Sequence, residues 1–237
     1  DVVTQILYDE IVVLDIPPAS KLNINQIATD FGISRTPVVE AINRLQSIGF
    51  VETRPHVSGF YVTDMSLRDM IDLYDARMAI ECEAAALCAE KASPEEISKL
   101  DSLAVEFKKA VPMMDGNRLK DTDMPFHKLI VESSGNKYLI RSYKELLPNL
   151  TMYQGSWPKF IPPEQVNPWS SQVVHQHGAI VSAIKLHIPS LARQSMAEHI
   201  RSSLNFVAYS DTTDDPFWIV KRSAEKNRAK QPPEGQK

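Results

Sequence analysis

Three imidazoles and one carboxylate, His127, His177, His199 and Asp123, are the residues of this chain best suited to hold an ion. Nitrogen and oxygen donors in that proportion fit a first-row divalent cation. Asp123 and His127 stand four positions apart, so on a helix they stack on one face. His177 and His199 fall in two later stretches of helical apolar spacing, so such an ion would be gripped from three helices. Four protein ligands close a tetrahedral zinc but leave an octahedral ion with open positions, which water or a carboxylate can take. Each residue also has a plainer use: Asp123 as a helix N-cap and the histidines as hydrogen-bonded core imidazoles. Pro125 is tolerated between Asp123 and His127 only in a first turn, which places Asp123 at or near its helix start. His175 is ~200° around the helix from His177 and should point away. His56 and His187 read as surface residues.

The elements that must carry these residues fall into two kinds. Apolar spacing predicts a helix over 1–14, stopped by Pro17 and Pro18, then a short extended pair at Lys21-Leu22 and a second helix over about 24–31. Phe31-Gly32-Ile33 makes a turn. Ser34 caps a third helix, with Pro37 in its first turn and Val38, Ala41, Ile42 and Leu45 as its buried stripe. Val51–Arg54 and Phe60–Val62 read as strands, joined by a loop holding Pro55 and Gly59, with the glycine needed by a tight turn. This is the order of a winged helix-turn-helix. Beyond Thr63 the pattern is helical throughout: a long helix capped by Ser66 and reaching about Lys91, then one opened by the capping box Ser93-Pro94-Glu95-Glu96. Further helices are expected at roughly 121–133, 137–155, 168–187 and 190–209, with a loop over 156–167. The fold class expected is mainly α: residues 1–65 form the winged helix-turn-helix, 66–212 an all-α antiparallel bundle, and 213–237 a flexible tail.

Composition narrows the function. No apolar run approaches the ~20 residues that span a bilayer, and no signal peptide opens the chain, so a cytoplasmic protein is expected. The first residue is Asp rather than Met, so a trimmed start is expected. Cys82 and Cys88 are six apart on one helix, point in different directions and read as buried free thiols. Net charge is −4 overall. Residues 1–66 also sum to −4, with eight acids against Lys21, Arg35, Arg44 and Arg54. A DNA-binding head so composed must gather its cations on one face.

The run Ile33-Ser-Arg-Thr-Pro-Val-Val-Glu-Ala-Ile42 resembles the recognition helix of the GntR family of bacterial transcription regulators. Asp123-Met-Pro-Phe-His127 with Ser134-Gly-Asn136 resembles the signature of the FadR-type (FCD) C-terminal domain. His177-Gly-Ala-Ile-Val-Ser-Ala-Ile184 and Ala197-Glu-His199 match its two later histidine motifs. The resemblance spans nearly all of residues 1–210. It implies a DNA-binding domain whose contacts include Ser34, Arg35, Thr36 and Gly59, and a metal held by Asp123, His127, His177 and His199. Zn, Ni or Mn would suit these ligands. Val39 stands where the family usually has Arg, Ser58 precedes the wing glycine where a basic residue is common, and Gln176 replaces a frequent Glu.

Arg35 lies at the end of the helix that enters the major groove, where its planar fork can grip guanine or phosphate. Arg77, in Arg77-Met-Ala-Ile-Glu81, is either the second anchor of a carboxylate effector or half of an ordinary i,i+4 surface pair. Asn136 either hydrogen-bonds an effector or caps the next helix. The reading these residues support is a DNA-binding regulator, not an enzyme. It would bind double-stranded operator DNA as a homodimer and respond to a small organic acid at the metal. Its rivals are a metal-dependent enzyme using the Asp/His3 site, and a helical module with a structural metal.

Overall fold

A computed structural model describes residues 2–64, 67–114, 116–156 and 166–209. The chain divides into two compact units, one ending at Leu67 and one beginning at Arg68. The proposed Ser66 cap, most of the 156–167 loop and the 213–237 tail lie outside the described residues.

The first unit runs α1 (Val2–Val12), β1 (Lys21–Leu22), α2 (Ile24–Asp30), α3 (Arg35–Ser47), β2 (Val51–Arg54) and β3 (Val57–Val62). The three strands form one antiparallel sheet in the order β1-β3-β2. This is a winged helix-turn-helix. Val38, Ala41, Ile42 and Leu45, spaced along one face of α3, are all fully buried and seat the helix on the core. Ser34 takes the extended N-cap backbone, but its hydroxyl makes no capping bond, contrary to the expectation from sequence.

Gly59 also departs from expectation. The strands turn at Pro55-His56, with His56 at a left-handed φ of 63°, and Gly59 lies inside β3. The turn is shorter than composition suggested, because Val57 and Ser58 already belong to the strand. Gly59 is required for another reason: its φ is +116°, and a Cβ there would meet the Lys21 side chain at 2.7 Å.

The second unit contains α4 (Leu67–Lys91), α5 (Pro94–Ala110), a single 3-10 turn at Val111–Met113, α6 (Gly116–Ser133), α7 (Lys137–Ser156), α8 (Val166–Lys185) and α9 (Pro189–Tyr209). Helix α5 packs against α6 and α8, α6 against α7, and α8 against α9, as an antiparallel bundle. The Ser93–Glu96 capping box forms both of its hydrogen bonds. Asn136 caps α7, its side-chain oxygen accepting from the N–H groups of Tyr138 and Leu139. Cys82 and Cys88 are buried free thiols.

One helix boundary differs with consequence. Helix α6 starts at Gly116, not near 121, so Asp123 is no N-cap and Pro125 sits well inside the helix. Gly116 and Asn117 are weak helix formers and hid the extra turns from a reading by propensity. Leu119, fully buried, anchors those turns against the core and outweighs the propensity.

Candidate metal centre

Three helices aim these polar side chains into the apolar heart of the bundle. Asp123 and His127 come from α6, His177 from α8 and His199 from α9, and none is more than 1 % exposed. One ligand atom from each lies within 4.8 Å of all the others. His177 Nε2 is 3.2 Å from Asp123 Oδ1, His127 Nε2 is 3.6 Å from Asp123 Oδ2, and His199 Nε2 is 3.2 Å from His127 Nε2. Donors about 2.1 Å from one ion stand about 3.0–3.4 Å apart at neighbouring positions, so this spacing fits a bound cation. A second feature agrees. His177 Nε2 and Asp123 Oδ1, though close, are not aligned as a hydrogen bond, and both are buried without a partner. Their lone pairs are free to share a third atom.

The rings are held by what packs around them. His177 lies between Phe107 and Phe126, at centroid separations of 4.5 and 4.4 Å. His199 Nδ1 is 3.3 Å from Gln176 Oε1, so the amide that replaces the family's Glu can still accept the Nδ1 proton and leave Nε2 toward the ion. His127 Nδ1 donates to Glu81 Oε2 at 2.6 Å, which turns its Nε2 toward the other candidate ligands. Gln154 donates to Asp123 Oδ2.

Charge is distributed tightly. Burial alone would raise the Glu81 carboxyl, but Arg77 and then His127 overcome it and bring it down to about 2. Burial likewise opposes a charged His127, yet the Glu81 and Asp123 carboxylates hold it up at about 9. Burial pushes His177 down, and pushes His199 well down with help from the neighbouring imidazoles. Asp123 is kept well below its ordinary range: burial would raise it, but the facing histidines prevail.

Arg77 is not a surface residue. It is 1 % exposed, and its Nε donates to Glu81 Oε1 at 2.5 Å. Its Nη1 and Nη2 and the hydroxyls of Tyr74 and Tyr143 are buried without a well-formed hydrogen bond, although Arg77 and Tyr74 lie close enough to interact. Arg77 lies 5.2 Å from the Tyr74 ring centre, and the charges of Arg77 and Asp123 are felt at both tyrosines. Burial pushes Tyr74 up to about 12 and Tyr143 well above its ordinary range, so both keep their protons and stay donors.

The structure brings the four candidate ligands and Arg77, all singled out from the sequence, into one buried neighbourhood. No contact among the described residues joins Asn136 to them. His175 is exposed, as expected. In the winged unit, Ser34, Arg35 and Thr36 are exposed together at the start of α3.

Residues 1–62 match the gntR family of bacterial regulatory proteins, and residues 72–202, more than half of the chain, match the FCD domain. The chain belongs to the GntR family. An uncharacterized HTH-type transcriptional regulator of Bacillus subtilis, YdhC, is 31 % identical over 52 % of this chain and 54 % of its own length. The Nta operon transcriptional regulator of Aminobacter aminovorans is 30 % identical over 54 % of this chain and 60 % of its own. This GntR protein thus spans little more than half the length of these two relatives. RspR, a transcriptional repressor of Escherichia coli, is 24 % identical over 83 % of both chains. The solved structure of E. coli McbR/YncC superimposes with a TM-score of 0.68 at 21 % identity, covering 86 % of this chain and 94 % of that one, which establishes likeness of fold. The matching families and relatives are regulators rather than enzymes.

Glu81, Tyr74, Tyr143 and Gln154 are the residues of the GntR protein's site that sequence reasoning missed. Glu81 was in view, but only as the partner of Arg77. Tyr74, three residues before Arg77 and on the same face of α4, carried a helical-spacing signal that could have found it.

Proposed function

We propose that this GntR protein is a cytoplasmic DNA-binding transcription regulator of the FadR subfamily. Its hold on operator DNA would be set by a small carboxylate seated beside a metal ion in the helical unit. The observation that carries this reading is the set of buried donors without a well-formed protein hydrogen bond beside the four candidate ligands: Arg77 Nη1 and Nη2, Tyr74 OH and Tyr143 OH. Native interiors rarely leave such groups unpaired, because each carries a desolvation penalty of about 1–3 kcal/mol. Donors of one kind, gathered beside a cation site, suit an anion with oxygen acceptors.

A divalent transition ion, Zn, Ni or Mn, fits Asp123, His127, His177 and His199, and when bound it supplies a positive charge that draws a carboxylate. The chain does the rest. Arg77, tied to Glu81 through Nε, keeps the outer edge of its guanidinium for a bidentate carboxylate. The tyrosines donate hydrogen bonds, and the surrounding apolar core excludes water and strengthens every charge interaction. The effector regulates only if it prefers one arrangement of the DNA-binding heads. Two heads are needed because one small reading unit seldom supplies enough specificity, so a homodimer on a near-palindromic operator follows. In each head Arg35 reads the groove, Ser34 and Thr36 contact phosphate or base edges, and Gly59 shapes the wing.

The test is calorimetric titration of small mono- and dicarboxylates into metal-loaded and chelated protein. Binding that needs the metal, and that Arg77→Lys weakens without releasing the ion, is expected. Equal binding after chelation would show that the ion is structural and overturn the mechanism.

A further inference from the structure

The winged head must bind a polyanion while carrying twice as many acids as bases, so the placement of its four cations decides how it does so. Arg54 is committed: its Nε donates to Glu52 Oε1 at 2.9 Å, and its guanidinium lies 4.5 Å from the Tyr61 ring centre. Arg44 sits in the last turn of α3, away from the end that enters a groove. Lys21, whose Nζ lies farther from the Tyr61 ring centre at 6.0 Å, and Arg35 are placed differently. Both line one open cleft of about 530 Å³, together with Asn23, Asn25, Gly59 and Phe60. Half of the head's cations therefore face this cleft, and none of its eight carboxylates lines it.

Gly59 leaves Lys21 room to lie beside the wing. Lys21 is on β1 and pairs with Tyr61 of β3, so its side chain starts beside the wing. A Cβ at position 59 would come within 2.7 Å of Lys21 Cε and 3.5 Å of its Nζ. The aliphatic stem thus crosses β3 where there is no side chain, and the ammonium reaches the side where Arg35 stands. Asn23 helps in a second way. Its Oδ1 accepts from the N–H groups of Asn25 and Gln26, which leaves its amide NH2 as the free end.

We propose that this cleft is a seat for a DNA backbone phosphate, with Lys21, laid across Gly59, as its charged pin. The inference rests on reading the head as a DNA binder. An ammonium is a compact point charge, suited to phosphate and unable to match a base edge with a planar fork. Amide NH2 groups complete such a seat, as in other backbone contacts that fix register without reading sequence. Arg35, at the neighbouring helix start, then reads bases from a frame that Lys21 has set. In an acidic head, this one charge carries a large share of the non-specific affinity.

The test needs no operator. Full-length protein is titrated against a mixed-sequence DNA duplex by fluorescence anisotropy at several salt concentrations. Lys21→Gln, at an exposed position, should keep the circular dichroism spectrum and weaken binding several-fold. It should also lower the slope of log K against log salt by about 0.9 for each head engaged, and Lys21→Arg should restore both. Gly59→Ala, which obstructs the lysine's path, should weaken binding in the wild-type background and add little on top of Lys21→Gln. An unchanged slope in Lys21→Gln, or losses that simply add, would overturn the phosphate seat. Absence of any duplex binding by the wild-type protein at low salt would instead overturn the DNA-binding reading itself, and this inference with it.

Discussion

His127 is contested from both sides of its ring, by Glu81 at Nδ1 and Asp123 facing Nε2. On the proposed metal site, that position makes it the residue whose proton an incoming ion would have to displace. His177 and His199 are pushed down and already neutral at pH 7, whereas His127, raised from an ordinary 6.5 to about 9, is protonated there. Ligands must be deprotonated, so metal affinity should rise about tenfold per pH unit from pH 7 and level off above pH ~9. Calorimetry of Zn2+ binding in two buffers of different ionisation enthalpy should report about one proton released per ion at pH 7, and none released would refute the assignment. The metal-free protein should show the opposite trend. A raised folded-state pKa contributes stability that is complete below pH ~6.5 and is lost as pH rises through about 9. Asp123, depressed, contributes stability above its ordinary range that is lost as pH falls. Replacing His127, His177 or His199 with Ala should reduce bound metal to a small fraction by elemental analysis, and Asp123→Ala should weaken it less. His175→Ala, at an exposed position, should change nothing.

Helix α6 carries two of the four ligands around a proline. Pro125 removes one backbone N–H and crowds the carbonyl of Asp121, a local penalty of ~3 kcal/mol in an ordinary helix interior. Pro125 lies between Asp123 and His127, where the local backbone governs their separation. Pro125→Ala should leave the metal-free protein as stable or more so, while lowering metal affinity as measured by competition with a chromophoric chelator. Unchanged affinity would mean that the proline is incidental to the site. The same helix shows what the sequence could and could not disclose. Its ligands were legible because their types and four-residue spacing carry chemistry of their own. Its start was not, because burial of Leu119, a tertiary fact, overrides the poor propensity of Gly116 and Asn117. Helix α3 was legible almost to the residue, since its apolar stripe and first-turn proline are local signals. Glu81 and the two tyrosines stayed hidden because spacing on α4 says which side chains share a face, and not whether that face meets solvent or core.

For the whole molecule, two compact units joined in sequence at 67–68 predict separable responses. Saturating metal should raise the melting temperature of the helical unit, by about 2.7 kcal/mol of stabilisation at one hundred times Kd, and leave the transition of the winged unit in place. A single transition that moves as a block in calorimetry would show that the units unfold together. The burial of the four ligands also bears on time. With no donor more than 1 % exposed, an ion can leave only when α6, α8 and α9 part, and that opening has its own rate. Release into a chelator should therefore reach a ceiling as chelator concentration rises, whereas release that quickens in proportion would mean direct access. On the proposed function, a regulator built this way would keep a memory: it would report the metal present when it last opened, while its effector informed it of the moment.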